Sequence, residues 1–245
     1  MKKIKAVFLI IFITLFVIFF LTGCSDNNKK TDSKKDNTTT SISSNKNTNK
    51  KTKTKKEIKS NIEKEVLGIT PAGDYVIKLK NRNDTQVYID SISVRFFDEN
   101  GNFAKKESTD DSFFCIPANS ELVTYVWGYE RDFEKYSKSE IELILEDPFY
   151  KYYTENFEIQ SNDTNEEIAI TITNNNNSAL DCIKVNVAFF KEGQIVGIES
   201  GLSYEEGISS NGGIAYINVD YPLDTDYEEV SFDEFKVYLT SAYKE

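Results

Sequence analysis

The chain has 245 residues, 29 basic against 40 acidic side chains, and no histidine. The missing histidine excludes Ser-His-Asp and Cys-His nucleophilic sites, histidine general bases and histidine-ligated zinc. The net charge of −11 argues against a nucleic-acid partner, which needs a basic footprint.

The N-terminus reads as a targeting segment. Lys2, Lys3 and Lys5 precede a 16-residue apolar run, Ala6 to Leu21, broken only by Thr14. That run is short for a membrane span of about 20 residues. Leu21, Thr22 and Gly23 then lead directly into Cys24. This arrangement resembles a bacterial lipoprotein signal with a lipobox, which implies cleavage after Gly23 and diacylglyceryl attachment to the Cys24 thiol. The alternative is an uncleaved N-terminal anchor. Either way the rest of the chain is expected outside the membrane. Two acyl chains suffice for stable anchoring without a transmembrane helix.

Residues 24–57 are expected to form the lipidated cysteine and a disordered tether. Ile42 is the only large apolar residue between Ser25 and Glu57. Such a composition cannot offset the entropy of ordering. As a flexible coil the tether would span roughly 30 Å on average, and about 110 Å fully extended. Residues 25–56 hold ten lysines against three aspartates, whereas residues 57–245 hold 16 basic against 37 acidic side chains, a net −21. The basic stalk suits an anionic surface that would repel the acidic part; the alternative is that the acidity only maintains solubility.

The remainder contains an internal repeat. Tyr75 to Asp84 matches Ile168 to Asn177, and Ile92 to Phe97 matches Val185 to Phe190, both 93 residues apart. Ile116 to Asn119 matches Ile208 to Asn211, and the Ile141, Leu143, Leu145 strand matches Phe235, Val237, Leu239. Pro148 ends the first copy, so two domains are expected, residues 58–147 and 148–245. Alternation of period two marks strands throughout. Tyr75, Ile77 and Leu79 alternate with Val76, Lys78 and Lys80; Leu122, Thr124 and Val126 alternate with Val123, Tyr125 and Trp127. Asn100-Gly101 predicts a two-residue hairpin with positive φ at both positions, and Glu192-Gly193 takes the same place in the second copy. Arg131 to Tyr136 and Asp226 to Val230 are the best helical stretches. The fold class is therefore all-β: two tandem immunoglobulin-like antiparallel sandwiches.

The strand Val94-Arg-Phe-Phe-Asp98 followed by Asn100-Gly101, and the loop Ile116-Pro-Ala-Asn-Ser-Glu121, resemble the FxLYD-type domain family. The second copy keeps Phe189-Phe190 but has Lys191 for the aspartate and Ser209-Ser-Asn-Gly212 for the proline turn. The resemblance implies a Gram-positive surface lipoprotein on the extracytoplasmic face of the cell membrane, with no shared catalytic activity.

Four features carry candidate chemistry. Cys115 and Cys182 form one disulfide in an oxidising exterior or pack as small hydrophobes. Asp110-Asp111 and Asp220 to Glu229 are calcium loops or solvated acidic loops; neither has EF-hand spacing. Tyr125, Trp127 and Tyr129 share one strand face, either as a binding platform or as packing. Phe149, Tyr150, Tyr152 and Tyr153 are expected to pack beside the boundary. No catalytic, cofactor or metal residue is assigned. The leading expectation is a non-catalytic, lipid-anchored module that binds, spaces or scaffolds an envelope protein or glycan. The alternatives are a carboxylate-dependent hydrolase of wall glycan or peptide, and an accessory subunit of a membrane complex. A cleft where acids converge, at least one of them buried, separates the hydrolase from a simple binding surface.

Overall fold

The computed structural model describes residues 53–109, 113–127, 132–203 and 207–245. The signal segment, Leu21, Thr22, Gly23, Cys24 and nearly all of the tether lie outside the described residues, as do Asp110, Asp111 and Tyr129. Among the described residues no helix is long and apolar enough to cross a membrane.

The folded part opens on a short helix, α1 (Lys55–Ser60). Its first turn is closed reciprocally. The Glu57 amide donates to Thr54 Oγ1 at 3.2 Å, and the Thr54 amide donates to the Glu57 carboxylate at 2.7 Å. This capping box takes Lys55, Lys56 and Glu57 into helix, although composition groups them with the tether. Among the described residues the elements beyond α1 are strands, apart from a 3₁₀ turn at Phe133–Lys135.

The first half contains β1 (Ile62–Ile69), β2 (Tyr75–Asn81), β3 (Val87–Ile89), β4 (Ser91–Phe97), β5 (Phe103–Ser108), β6 (Phe114–Ile116), β7 (Glu121–Val126) and β8 (Lys138–Ile144). They form the sheets β1-β2-β7 and β5-β4-β8 and the ribbon β3-β6, all antiparallel. The second half contains β9 (Lys151–Tyr152), β10 (Phe157–Asp163), β11 (Glu167–Asn174), β12 (Cys182–Lys191), β13 (Gln194–Ser203), β14 (Gly213–Asp220) and β15 (Glu234–Lys244). Its sheets are β10-β11-β14 and β13-β12-β15-β9, again antiparallel. An isolated Leu180–Ile208 bridge stands where the first half has β3-β6. The named strands of each half pair only with one another. Each half closes its two sheets over its own core, with Ile77, Leu79, Ile92, Phe96 and Leu122 in one and Ile168, Ile170, Val185, Phe189 and Ile217 in the other. The period-two alternation read in the sequence is the alternation of core and outer faces.

The halves share construction details. A β-bulge adds one residue, Ala104, to β5 opposite Phe96 and Phe97, and one, Val196, to β13 opposite Phe189 and Phe190. Behind the bulge Phe133 stacks on Phe96 at 4.8 Å, and Phe232 meets Phe189 edge-on at 4.9 Å. The buried asparagines of the strand-ending turn match most closely. The Asn81 amide donates to the carbonyls of Thr85, Ile116 and Pro117 at 2.9, 3.1 and 2.8 Å, and its oxygen accepts the backbone and side-chain amides of Asn83, each at 2.9 Å. Asn174 donates to Ser178, Ile208 and Ser209 at 2.9, 3.5 and 3.0 Å and accepts both amides of Asn176 at 3.1 and 3.0 Å. Asn119 and Asn211, both at φ 55°, donate their amides back to the carbonyls of Asn83 and Asn176. In each half one side chain thus ties the strand-ending turn to a second loop through buried backbone groups.

The hairpins differ from one another. Glu192 (φ 50°) and Gly193 (φ 78°) make the two-residue turn with positive φ at both positions. At Asn100-Gly101 only Gly101 is left-handed, φ 79°. There the Asp98 carboxylate accepts the amides of Asn100 and Asn102 at 2.9 and 2.8 Å, which widens the turn. The two stretches read as helical are a 3₁₀ turn at Phe133–Lys135 and, from Asp226, a turn crossed by a Leu223–Glu229 bridge.

Residues 51–245 form one compact unit. The outer face of β1-β2-β7 lies against the outer face of β12-β13. Val76 and Val123 meet Ala188, Ile195 and Ile198 in a third buried apolar cluster, flanked by Leu67, Tyr125, Phe190 and Tyr238. One buried polar bond crosses it: the Asn186 side-chain amide donates to the Val123 carbonyl at 3.0 Å. Tyr152 extends the contact, with ring centroids 5.7 Å from Tyr88 and 5.5 Å from Tyr243, and Thr154 Oγ1 donates to Gln86 at 2.9 Å. Of the aromatics beside the boundary Tyr152 is buried and Tyr150 stacks on Tyr243, but Phe149 is 86% exposed. The expectation of packing fails at Phe149, which touches only the edge of its neighbourhood through a T-shaped contact with Phe113.

Candidate functional site

A cleft of about 510 Å³ opens at one end of this seam. Its floor is β13, through Ile198 and Glu199. The first half contributes Asp74 from the β1–β2 turn, Tyr125 from β7 and Trp127 just beyond it. The second half contributes Asp220 at the end of β14 and Tyr221, Asp224 and Tyr227 from the loop that follows. Of the three aromatics predicted to share a face, the structure places Tyr125 and Trp127 on this cleft; Tyr129 lies outside the described residues. Tyr125 is half-buried against the seam cluster and Trp127 is 38% exposed. Tyr125 thus packs into the seam, while Trp127, just beyond β7, stays partly exposed.

Local chemistry fixes the walls. Asp74 is buried, and its carboxylate accepts Thr70 Oγ1 at 3.2 Å while its amide donates to that same hydroxyl at 3.0 Å. On the opposite wall Asp224 accepts the amides of Asp226 and Glu228 at 2.8 and 3.0 Å. The Val230 amide donates to the Pro222 carbonyl at 2.8 Å. Tyr221 donates its hydroxyl to Asp163, a bond that raises the Tyr221 pKa to about 12. Pro222 rests on β13 at Gly197, where any Cβ would lie 2.2 Å from the proline ring. This close approach brings the 221–227 loop over the strand that carries Glu199.

Glu199 is the electrostatic centre of the cleft. Burial pushes its pKa up to about 7, and the charges of Asp74 and Asp220 push in the same direction. Near neutral pH it carries a proton about half of the time. Glu199 and Asp74 had no signal in the sequence, being single acids in a strand and in a turn. Asp220 and Asp224 fall in the stretch that reads in the sequence as a calcium loop or a solvated acidic loop. Among the described residues no group of three or more acidic, cysteine or histidine side chains is placed to hold a metal ion. Cys115 and Cys182 are free and buried, and burial lifts the Cys115 pKa to about 12.

No family model matches the chain, and comparison with curated proteins finds no match. Among solved structures the chain is similar to a red sea bream transglutaminase at 10% identity and a TM-score of 0.23. The likeness covers 66% of this chain and 27% of that one.

Proposed function

We propose that this chain is a lipid-anchored extracytoplasmic binding protein. In this reading Cys24 carries the lipid, the lysine-rich tether holds the folded part off the membrane, and two immunoglobulin-like sandwiches of FxLYD type present the seam cleft to an envelope ligand. The observation that carries the binding role is the lining of that cleft: aromatic rings from both halves, Trp127 and Tyr227 among them, around a half-buried carboxylate. Rings of this kind supply contact area at low entropic cost, and the polar groups orient what lies on them. Two measurements test the proposal. Metabolic labelling with a palmitate analogue marks the wild type and not Cys24→Ala; equal labelling overturns the anchor. Trp127 is the only tryptophan in the chain. Its emission shifts when a soluble digest of purified cell envelope is added, and an unchanged spectrum overturns the binding role.

One observation favours a second reading, a carboxylate-dependent hydrolase. Glu199, protonated near neutrality and lining a cleft with Asp220, has the character of a general acid beside a base. Binding is preferred because Asp74 and Asp224 are engaged in hydrogen bonds within their own turns. Release of reducing ends or free amines from purified wall by the wild type, and not by Glu199→Gln, would establish the hydrolase instead.

A further inference from the structure

We infer that the ligand of the seam cleft presents an alkylammonium group, received by Glu199, Asp220 and the Trp127 ring. This rests on the binding role proposed above and names the chemistry that the cleft selects.

Sign comes first. Asp74, Glu199, Asp220 and Asp224 all line the cleft, and no lysine or arginine is among its described lining residues. An anionic ligand would add to a repulsion that already exists, since the charges of Asp74 and Asp220 help hold the proton on Glu199. A neutral ligand would leave that repulsion in place. A cation relieves it and lets Glu199 ionise. The rings then separate an organic cation from a bare ion. Trp127 is 38% exposed and Tyr227 81% exposed, which offers aromatic faces to an ammonium group and to the methylenes behind it. Among the described residues the acids are not gathered for chelation, so a metal ion gains no coordination shell here.

Coupling to protons follows. The titratable groups lining the cleft with Glu199 are Asp74 before β2, Tyr125 on β7, and Asp220, Tyr221, Asp224 and Tyr227 on β14 and its loop. Glu199 is the one whose pKa is brought to about 7. A cation that pairs with its ionised form binds more tightly as pH rises, because the competent fraction grows from about a tenth at pH 6 to about nine tenths at pH 8.

The test follows Trp127 emission in the full folded chain at constant ionic strength, with 1,5-diaminopentane as probe and 1,5-pentanediol as its neutral isostere. The diamine is expected to bind, the diol not, and the diamine Kd to fall about tenfold from pH 6 to pH 8. Glu199→Gln should weaken the diamine at pH 8 and remove the pH dependence, with an unchanged circular dichroism spectrum showing that it folds. Glu158→Gln, which removes one charge on the remote strand β10, should leave the Kd unchanged. Equal binding of diol and diamine, no pH dependence, or equal weakening by both substitutions overturns the inference; the last would mean diffuse attraction to an acidic surface. If the envelope digest shifts Trp127 and the diamine does not, the ammonium assignment falls and the binding role stands. If neither shifts it, both fall.

Discussion

Replacing Asn81 by alanine should be among the most destabilising single changes in the first half. The side chain makes three donated and two accepted hydrogen bonds. The carbonyls of Thr85 and Pro117 are partly accessible and can turn to water. The Ile116 carbonyl and the Asn83 amide are buried and cannot. Each orphaned buried group costs about 1–3 kcal/mol, and the vacated volume adds roughly 1 kcal/mol. The expected loss is about 3–7 kcal/mol, a large share of the 5–15 kcal/mol typical of a folded domain. Asn174→Ala should cost somewhat less, since its contact to Ile208 is 3.5 Å long. The two side chains share no partner, so the double variant should be additive to within about 0.5 kcal/mol. Asn81→Asp should be worse than alanine at pH 7, because a carboxylate would face three carbonyl oxygens, and it should recover on acidification. Urea unfolding followed by circular dichroism measures all four. A loss below about 1 kcal/mol for Asn81→Ala, or an aspartate variant more stable than alanine at pH 7, refutes the role given to this network.

Three further outcomes are expected. The raised pKa of Glu199 means that the native state holds a proton that the unfolded chain releases above its ordinary value of 4.5. Its favourable contribution is complete below that value and is lost as pH rises through about 7, so Glu199→Gln should be more stable than wild type by about 1–2 kcal/mol at pH 8, allowing for solvent screening. Near pH 4.5 the two should match; parallel urea curves at the two pH values would count against the assignment. Gly197→Val drives a side chain into Pro222 and should cost about 1–3 kcal/mol, with faster hydrogen exchange at the Val230 amide. Unchanged exchange there would show that the glycine does not seat the loop. Cys115, buried and with its pKa at about 12, should resist alkylation at pH 8 until the chain is unfolded in urea; rapid native labelling would contradict its burial.

The sandwich cores were legible because alternation marks any strand with one wet face. Tyr75, Ile77 and Leu79 against Lys78 and Lys80 left little choice. The broadside contact between halves was not legible. It uses only scattered apolar positions, such as Val76 and Val123, in strands whose outer faces otherwise look solvated. Asn81 and Asn174 read as turn formers, the ordinary meaning of asparagine after a strand. Nothing in spacing distinguishes a turn asparagine from one that ties two loops together. The cleft was half visible: Tyr125 and Trp127 stood out as aromatics, and Asp220 and Asp224 as acids. Their meeting depends on how the halves are placed, which no local pattern encodes. Glu199 was hidden altogether, because one carboxylate in a strand is commonly a solvated one.

The seam between the halves also limits how this molecule can be divided. Val76 and Val123 on one side, and Ala188, Ile195 and Ile198 on the other, are dry only because the opposite half covers them. A fragment cut near Asp147 would carry an oily wall into water along a sheet that its partner normally covers, and would tend to clump or borrow a neighbour's copy. The two halves are mutual dependents, so crystallisation trials, display fusions or antigens drawn from this chain should keep residues 53–245 together.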